Sequence, residues 1–77
     1  MFASSADAEA KRRADRLAAK LATMGVPARV EPRATLAVIV ASPDIAAKLA
    51  EPETRRAALA AAREDGFTHV AVELGSS

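Results

Sequence analysis

The sequence contains no cysteine, tryptophan or tyrosine in its 77 residues, and its aromatic content is two phenylalanines, Phe2 and Phe67. Without cysteine there is no disulfide staple and no thiolate metal site, and the expected setting is cytoplasmic. Without aromatics set among basic residues there is no stacking platform for single-stranded nucleic acid. Glycine is equally sparse: Gly25, Gly66 and Gly75 each stand alone at the end of an element, which excludes a glycine-rich phosphate loop. No apolar run approaches the roughly 18 residues of a membrane span. The first residues lack the basic-then-apolar order of a secretory leader. Charge of one sign is missing too, since 11 Lys and Arg face 10 Asp and Glu. Nucleic acid is therefore not an expected partner.

What the sequence does have is apolar content, 51% of all residues, much of it alanine that buries little area. One domain over 1–77 is expected, with flexible ends at 1–4 and 75–77. A chain of this length buries only about 60% of the surface its unfolded form exposes. Covering further apolar area against a partner is then an effective source of stability.

The central stretch runs from Ala34 to Leu74. An apolar segment, a helical pattern and a second β-rich segment make a strand–helix–strand unit. Before it, Ala10, Ala14, Leu17, Leu21 and Met24 recur at steps of four and three, the signature of one helical stripe. Ser4 is the expected N-cap, with Asp7 completing a capping box, and Gly25 is the expected left-handed terminator. The basic residues Lys11, Arg12, Arg13, Arg16 and Lys20 are interleaved with Glu9 and Asp15, as on a solvated helix face. The segment from Val26 to Glu31 alternates as a short strand, with Pro32, Arg33 and Ala34 as the expected turn into a second strand.

In that second strand both alternating sets are apolar: Leu36, Val38 and Val40 on one side, Ala37, Ile39 and Ala41 on the other. Such a strand is normally central and covered on both faces. Ser42, Pro43 and Asp44 form a compact helix start. Pro52 then divides the helical region into a short helix ending near Ala50 or Glu51 and a longer one ending at Gly66. In the last strand Thr68, Val70, Val72 and Leu74 share one face and Phe67, His69, Ala71 and Glu73 the other. A right-handed crossover makes the second and third strands parallel. The expected fold is a two-layer α+β domain, α-β-β-α-β, with a three-stranded mixed sheet and helices on one face.

Few residues suggest chemistry. His69 is the only histidine, with no second histidine or cysteine to complete a metal site and no nucleophile placed beside it. Ser42 is explained by its cap position, and Arg55 and Arg56 by pairing with nearby carboxylates one helical turn away. No catalytic residue, cofactor site or metal site is identified. Arg29, Arg33 and His69 are the candidates for holding a small anion or nucleotide. Ala37, Ile39, Ala41, Phe67 and Ala71 are the candidate interface, because the helices suffice for only one side of a doubly apolar strand.

Several patterns resemble the C-terminal domain of the ATP-dependent sacrificial sulfur transferases (LarE-type, in the PP-loop ATP pyrophosphatase superfamily). The resemblance is carried by Met24, Gly25 and Val26 at a helix end, the strand pair at 28–30 and 36–40, the Pro43-Asp44 helix start, Leu49, Arg56 to Leu59, and Gly66 to Leu74. The last segment is similar to the family's Gly-Phe-x-Tyr-Val-x-Leu-Asp-Leu. The family's ATP-binding Ser-Gly-Gly-x-Asp-Ser loop and its sulfur-donating cysteine are not in these 77 residues. Arg29 matches the first arginine of the family's Arg-x-Arg, but Glu31 replaces the second, and Arg33, Ala34 and Thr35 replace His-Gly-Asp. A cation lost and an anion gained disfavour an anionic substrate. The resemblance thus implies the fold and a lineage without the catalysis. The resulting expectation is a non-enzymatic accessory subunit that self-associates or docks on a larger enzyme, the alternative being a binder of small anions or nucleotides in cofactor biosynthesis.

Overall fold

The computed structural model describes residues 5–75. In chain order the elements are α1 (Ser5–Thr23), β1 (Arg29–Arg33), β2 (Leu36–Ala41), α2 (Pro43–Leu49), α3 (Pro52–Glu64) and β3 (His69–Leu74). The strands form one mixed sheet in the order β1-β2-β3, with β1 antiparallel and β3 parallel to the central β2. This is the α+β layer expected from the sequence, including the interruption of the crossover helix ahead of Pro52.

Helix α1 buries Ala14, Leu17 and Leu21 against the sheet. Met24, placed on the same stripe by its spacing, falls one residue past the helix and is 37% exposed. The expected Ser4 cap and the side chain of Asp7 lie outside the described residues. On the outer face Glu9 pairs with Arg13 at 2.7 Å and Lys11 with Asp15 at 3.8 Å. These are neighbours one turn apart, as on a solvated surface.

Both long helices end the same way. Val26 N–H donates to the Leu21 carbonyl at 2.9 Å and Gly25 N–H to Ala22 at 3.1 Å; at the end of α3, Phe67 N–H donates to Ala62 at 2.9 Å and Gly66 N–H to Arg63 at 3.0 Å. In each case a glycine with φ of 82° or 92° reverses the chain. The following apolar residue, Val26 or Phe67, is then driven into the core, which is the Schellman arrangement. Helix α2 begins with Ser42 as N-cap, its hydroxyl accepting from Ile45 N–H at 3.4 Å, and Pro43 in the first turn.

The core is a single cluster formed by Ala14, Leu17 and Leu21 of α1, Leu49 of α2, Ala58, Ala61 and Ala62 of α3, Val30, Ala37, Ile39 and Ala41 of the sheet, with Val26 and Phe67. All three helices therefore cover the same face of the sheet. The face assigned to an intermolecular interface from the sequence is the covered one: Ala37, Ile39, Ala41 and Phe67 are each at most 3% exposed within the chain. The small side chains of Ala37 and Ala41 let the helices approach closely. Leu36, Val38 and Val40 lie outside that cluster, on the opposite face.

The hairpin turn is Ala34-Thr35, because Arg33 pairs directly with Leu36; Pro32, expected in the turn, stays in β1 opposite Ala37. An edge strand tolerates that proline because it need not donate on both sides. At the far end, Gly75 N–H still donates to the Ala41 carbonyl at 2.9 Å. Ser76 and Ser77 lie outside the described residues.

Helices α1 and α3 are also joined by charge. The Lys20 ammonium lies 3.2 Å from both carboxylate oxygens of Asp65 and 3.3 Å from Glu64. Asp65 is a buried charged residue, and its Oδ2 is left without a well-aligned hydrogen bond. Partial desolvation works against the Lys20 charge, but the hydrogen bonds it donates to Asp65 and Glu64 and their negative charge outweigh it. The net effect raises the Lys20 pKa above 10.5.

Candidate interaction surface

Strand register fixes what the uncovered face displays. Three cross-strand rows follow from the pairing: Arg33, Leu36 and His69; Glu31, Val38 and Ala71; Arg29, Val40 and Glu73. The middle strand supplies an apolar stripe, and charged side chains border it on both sides. Leu36 and Val40 are half-buried by these neighbours and Val38 is buried. Ala71, expected at an interface, is exposed on this face.

The anion-site candidates share the face without converging. Arg29 and Arg33 both turn toward Glu31, at 3.0 and 3.7 Å, so the carboxylate between them takes up their charge. His69 sits across β2 from Arg33, two strand spacings or roughly 10 Å away. Its Nδ1 is 2.9 Å from the Thr68 hydroxyl. Arg55 and Arg56 make no ion pair among the described residues, contrary to the pairing expected for them. Also among these residues, no group of three or more His, Asp or Glu side chains is placed to hold a metal ion. No helix in them is long and apolar enough to cross a membrane.

The two edges of the sheet differ in a way that spacing in the sequence does not announce. Strand β1 carries Arg29, Glu31, Pro32 and Arg33, and α1 packs beside it. Proline and charge are the usual protections of an edge strand against added strands. Among the described residues strand β3 pairs only with β2, and it has neither proline nor lysine. Val72 is 48% exposed and Leu74 65% exposed along it, on the helix side of the sheet. Beside them a groove of about 380 Å³ is lined by Ile39, Leu49, Ala58, Leu59, Val70 and Val72, with Arg55 at its rim. Leu59 is half-buried along this groove.

Exposed apolar residues, an open groove and unpaired strand backbone thus coincide along β3. The sequence signal for this site is the β-rich run His69–Leu74, with no proline or lysine and Glu73 as its one acidic residue; alternation alone assigns its faces but not its exposed edge. No protein-family model, curated protein or solved structure matches the chain.

Proposed function

We propose that the chain is a non-catalytic protein–protein interaction module, an accessory subunit that self-associates or docks on a larger enzyme. The lineage proposed for it is that of the LarE-type sulfur-transferase C-terminal domains. One observation carries the interaction role: the largest exposed apolar side chains of the sheet, Val72 and Leu74, line an edge strand that has neither proline nor lysine and a single acidic residue, Glu73. A cytoplasmic setting is part of the same proposal and rests on the absence of cysteine.

The test is site-specific photo-cross-linking in the producing cell. A photoreactive residue at Ala71 should join the chain to protein, either another copy or a different polypeptide. The same residue at Arg56, an exposed position of α3, should not. Equal capture at the two positions, or none at either, would refute an interaction role for the sheet.

A further inference from the structure

We propose that the partner of β3 is β3 of a second copy, paired antiparallel with Ala71 facing Ala71 across a two-fold axis perpendicular to the sheet. This rests on the interaction role above and specifies its partner. The argument begins from an asymmetry in one sheet. β1 is closed to further strands by Pro32 and its charged neighbours, whereas β3 offers backbone donors and acceptors with no pairing partner among the described residues. An edge of this kind, without proline or lysine, is a template for another strand.

Charge selects the occupant and the register. His69 and Glu73 lie on the same face, one on each side of Ala71. In an antiparallel pair centred on Ala71, His69 of each copy faces Glu73 of the other, twice by symmetry. On the helix side Val70 then faces Val72, also twice, and Leu74 faces Thr68. Shifting the centre to Val70 or Val72 removes both His–Glu pairs, and a parallel pair cannot be made with a two-fold axis in this way. The imidazole is oriented for the role: its Nδ1 is engaged by the Thr68 hydroxyl at 2.9 Å, which leaves Nε2 as the ring nitrogen open to the facing carboxylate. The product is a six-stranded sheet, β1-β2-β3-β3-β2-β1, with the helices of both copies on one face. Val72 is covered by the partner strand, and the apolar groove beside it is walled on its open side.

The chain has no cysteine, so engineered thiols report on this geometry against a clean background. Directly opposed residues of an antiparallel pair have Cα atoms about 4.5–5.5 Å apart, within disulfide range. Under mild oxidation Ala71→Cys should form a disulfide-linked dimer. Leu74→Cys, although more exposed, should not, because the two copies of residue 74 lie at opposite ends of the pair. Sedimentation velocity should show a dimer of the wild-type chain. His69→Glu or Glu73→Lys alone should weaken it about tenfold, through two disfavoured cross-strand pairs, and the double variant should recover it. Val72→Lys should be monomeric with an unchanged circular dichroism spectrum.

Faster cross-linking at residue 74 than at 71, or no recovery in the charge-exchanged double variant, would overturn the register. A wild-type monomer whose photoreactive Ala71 captures a different protein would refute self-pairing while leaving the interaction role intact. A monomer that captures nothing would remove both.

Discussion

Among the described residues, Ala34 is the non-glycine residue with positive φ, at 54°, in the two-residue turn between β1 and β2. A left-handed L-residue costs about 1–2 kcal/mol, while glycine in its place adds back about 0.5–1 kcal/mol of unfolded-chain freedom. Ala34→Gly should therefore raise stability by roughly 0.5 kcal/mol, seen as a higher urea midpoint with an unchanged slope. At Ile39 the direction is opposite. Its side chain is fully buried between sheet and helices, so Ile39→Ala should cost about 2–5 kcal/mol in equilibrium unfolding. Ile39→Asp, which an interface at that position would tolerate in the monomer, should instead abolish folding. Gly75 is constrained by space: a Cβ there would come within 2.5 Å of the stiff Val40 side chain. Gly75→Ala should fray the last rung between β2 and β3, visible as faster amide exchange at residue 75.

Among the elements, the helices were legible because their signals are local. The four-three spacing of α1, the Ser42-Pro43-Asp44 start and Pro52 all act within a few residues; α2 and α3 begin at Pro43 and Pro52 as these signals indicate, while α1 ends at Thr23, one residue short of Met24, and α2 at Leu49. The side of the sheet that each strand residue occupies was not legible, for one reason. A turn made of Pro32, Arg33 and Ala34 pairs Glu31 with Thr35, which places Arg29 and Glu31 on the face of Ala37 and Ile39. The observed Ala34-Thr35 turn pairs Arg29 with Val40 and Glu31 with Val38. A strand repeats every two residues, so this shift moves every side chain of β1 to the other face relative to β2. The apolar character of both sides of β2 left nothing in that strand to signal the error. Two of the segments that carry the family resemblance, at Gly25 and Gly66, are Schellman ends whose residues serve helix termination. Between the helices, Lys20 provides a pH-dependent link. Its pKa is raised in the folded chain, so its contribution is complete below 10.5 and is lost as pH climbs through the higher folded value. Lys20→Met should lower the melting temperature near neutral pH, and the difference from wild type should vanish well above pH 10.5.

For the molecule as a whole, the sequence indicated that the chain has too little helix to shelter two faces of a sheet, and the three helices do cover one face only. It did not indicate that the uncovered face would be largely screened by its own Arg29, Glu31, Arg33, His69 and Glu73, leaving β3 as the exposed apolar margin. That outcome depends on register and on how far α2 and α3 reach across the sheet, and neither is encoded locally. A chain that pairs through β3 should unfold at a temperature that rises with its own concentration. A melting temperature independent of concentration over the range where the dimer is seen would contradict this.

Pro32 carries one more implication. A sheet that accepts new strands on both flanks can lengthen without limit into ribbons, whereas this one is sealed on the side where Pro32 lies. Once its single receptive flank is occupied, nothing remains to which another molecule can be stitched. Growth ends at a finite body, and a proline seated in register opposite Ala37 guards the protein against fibre formation.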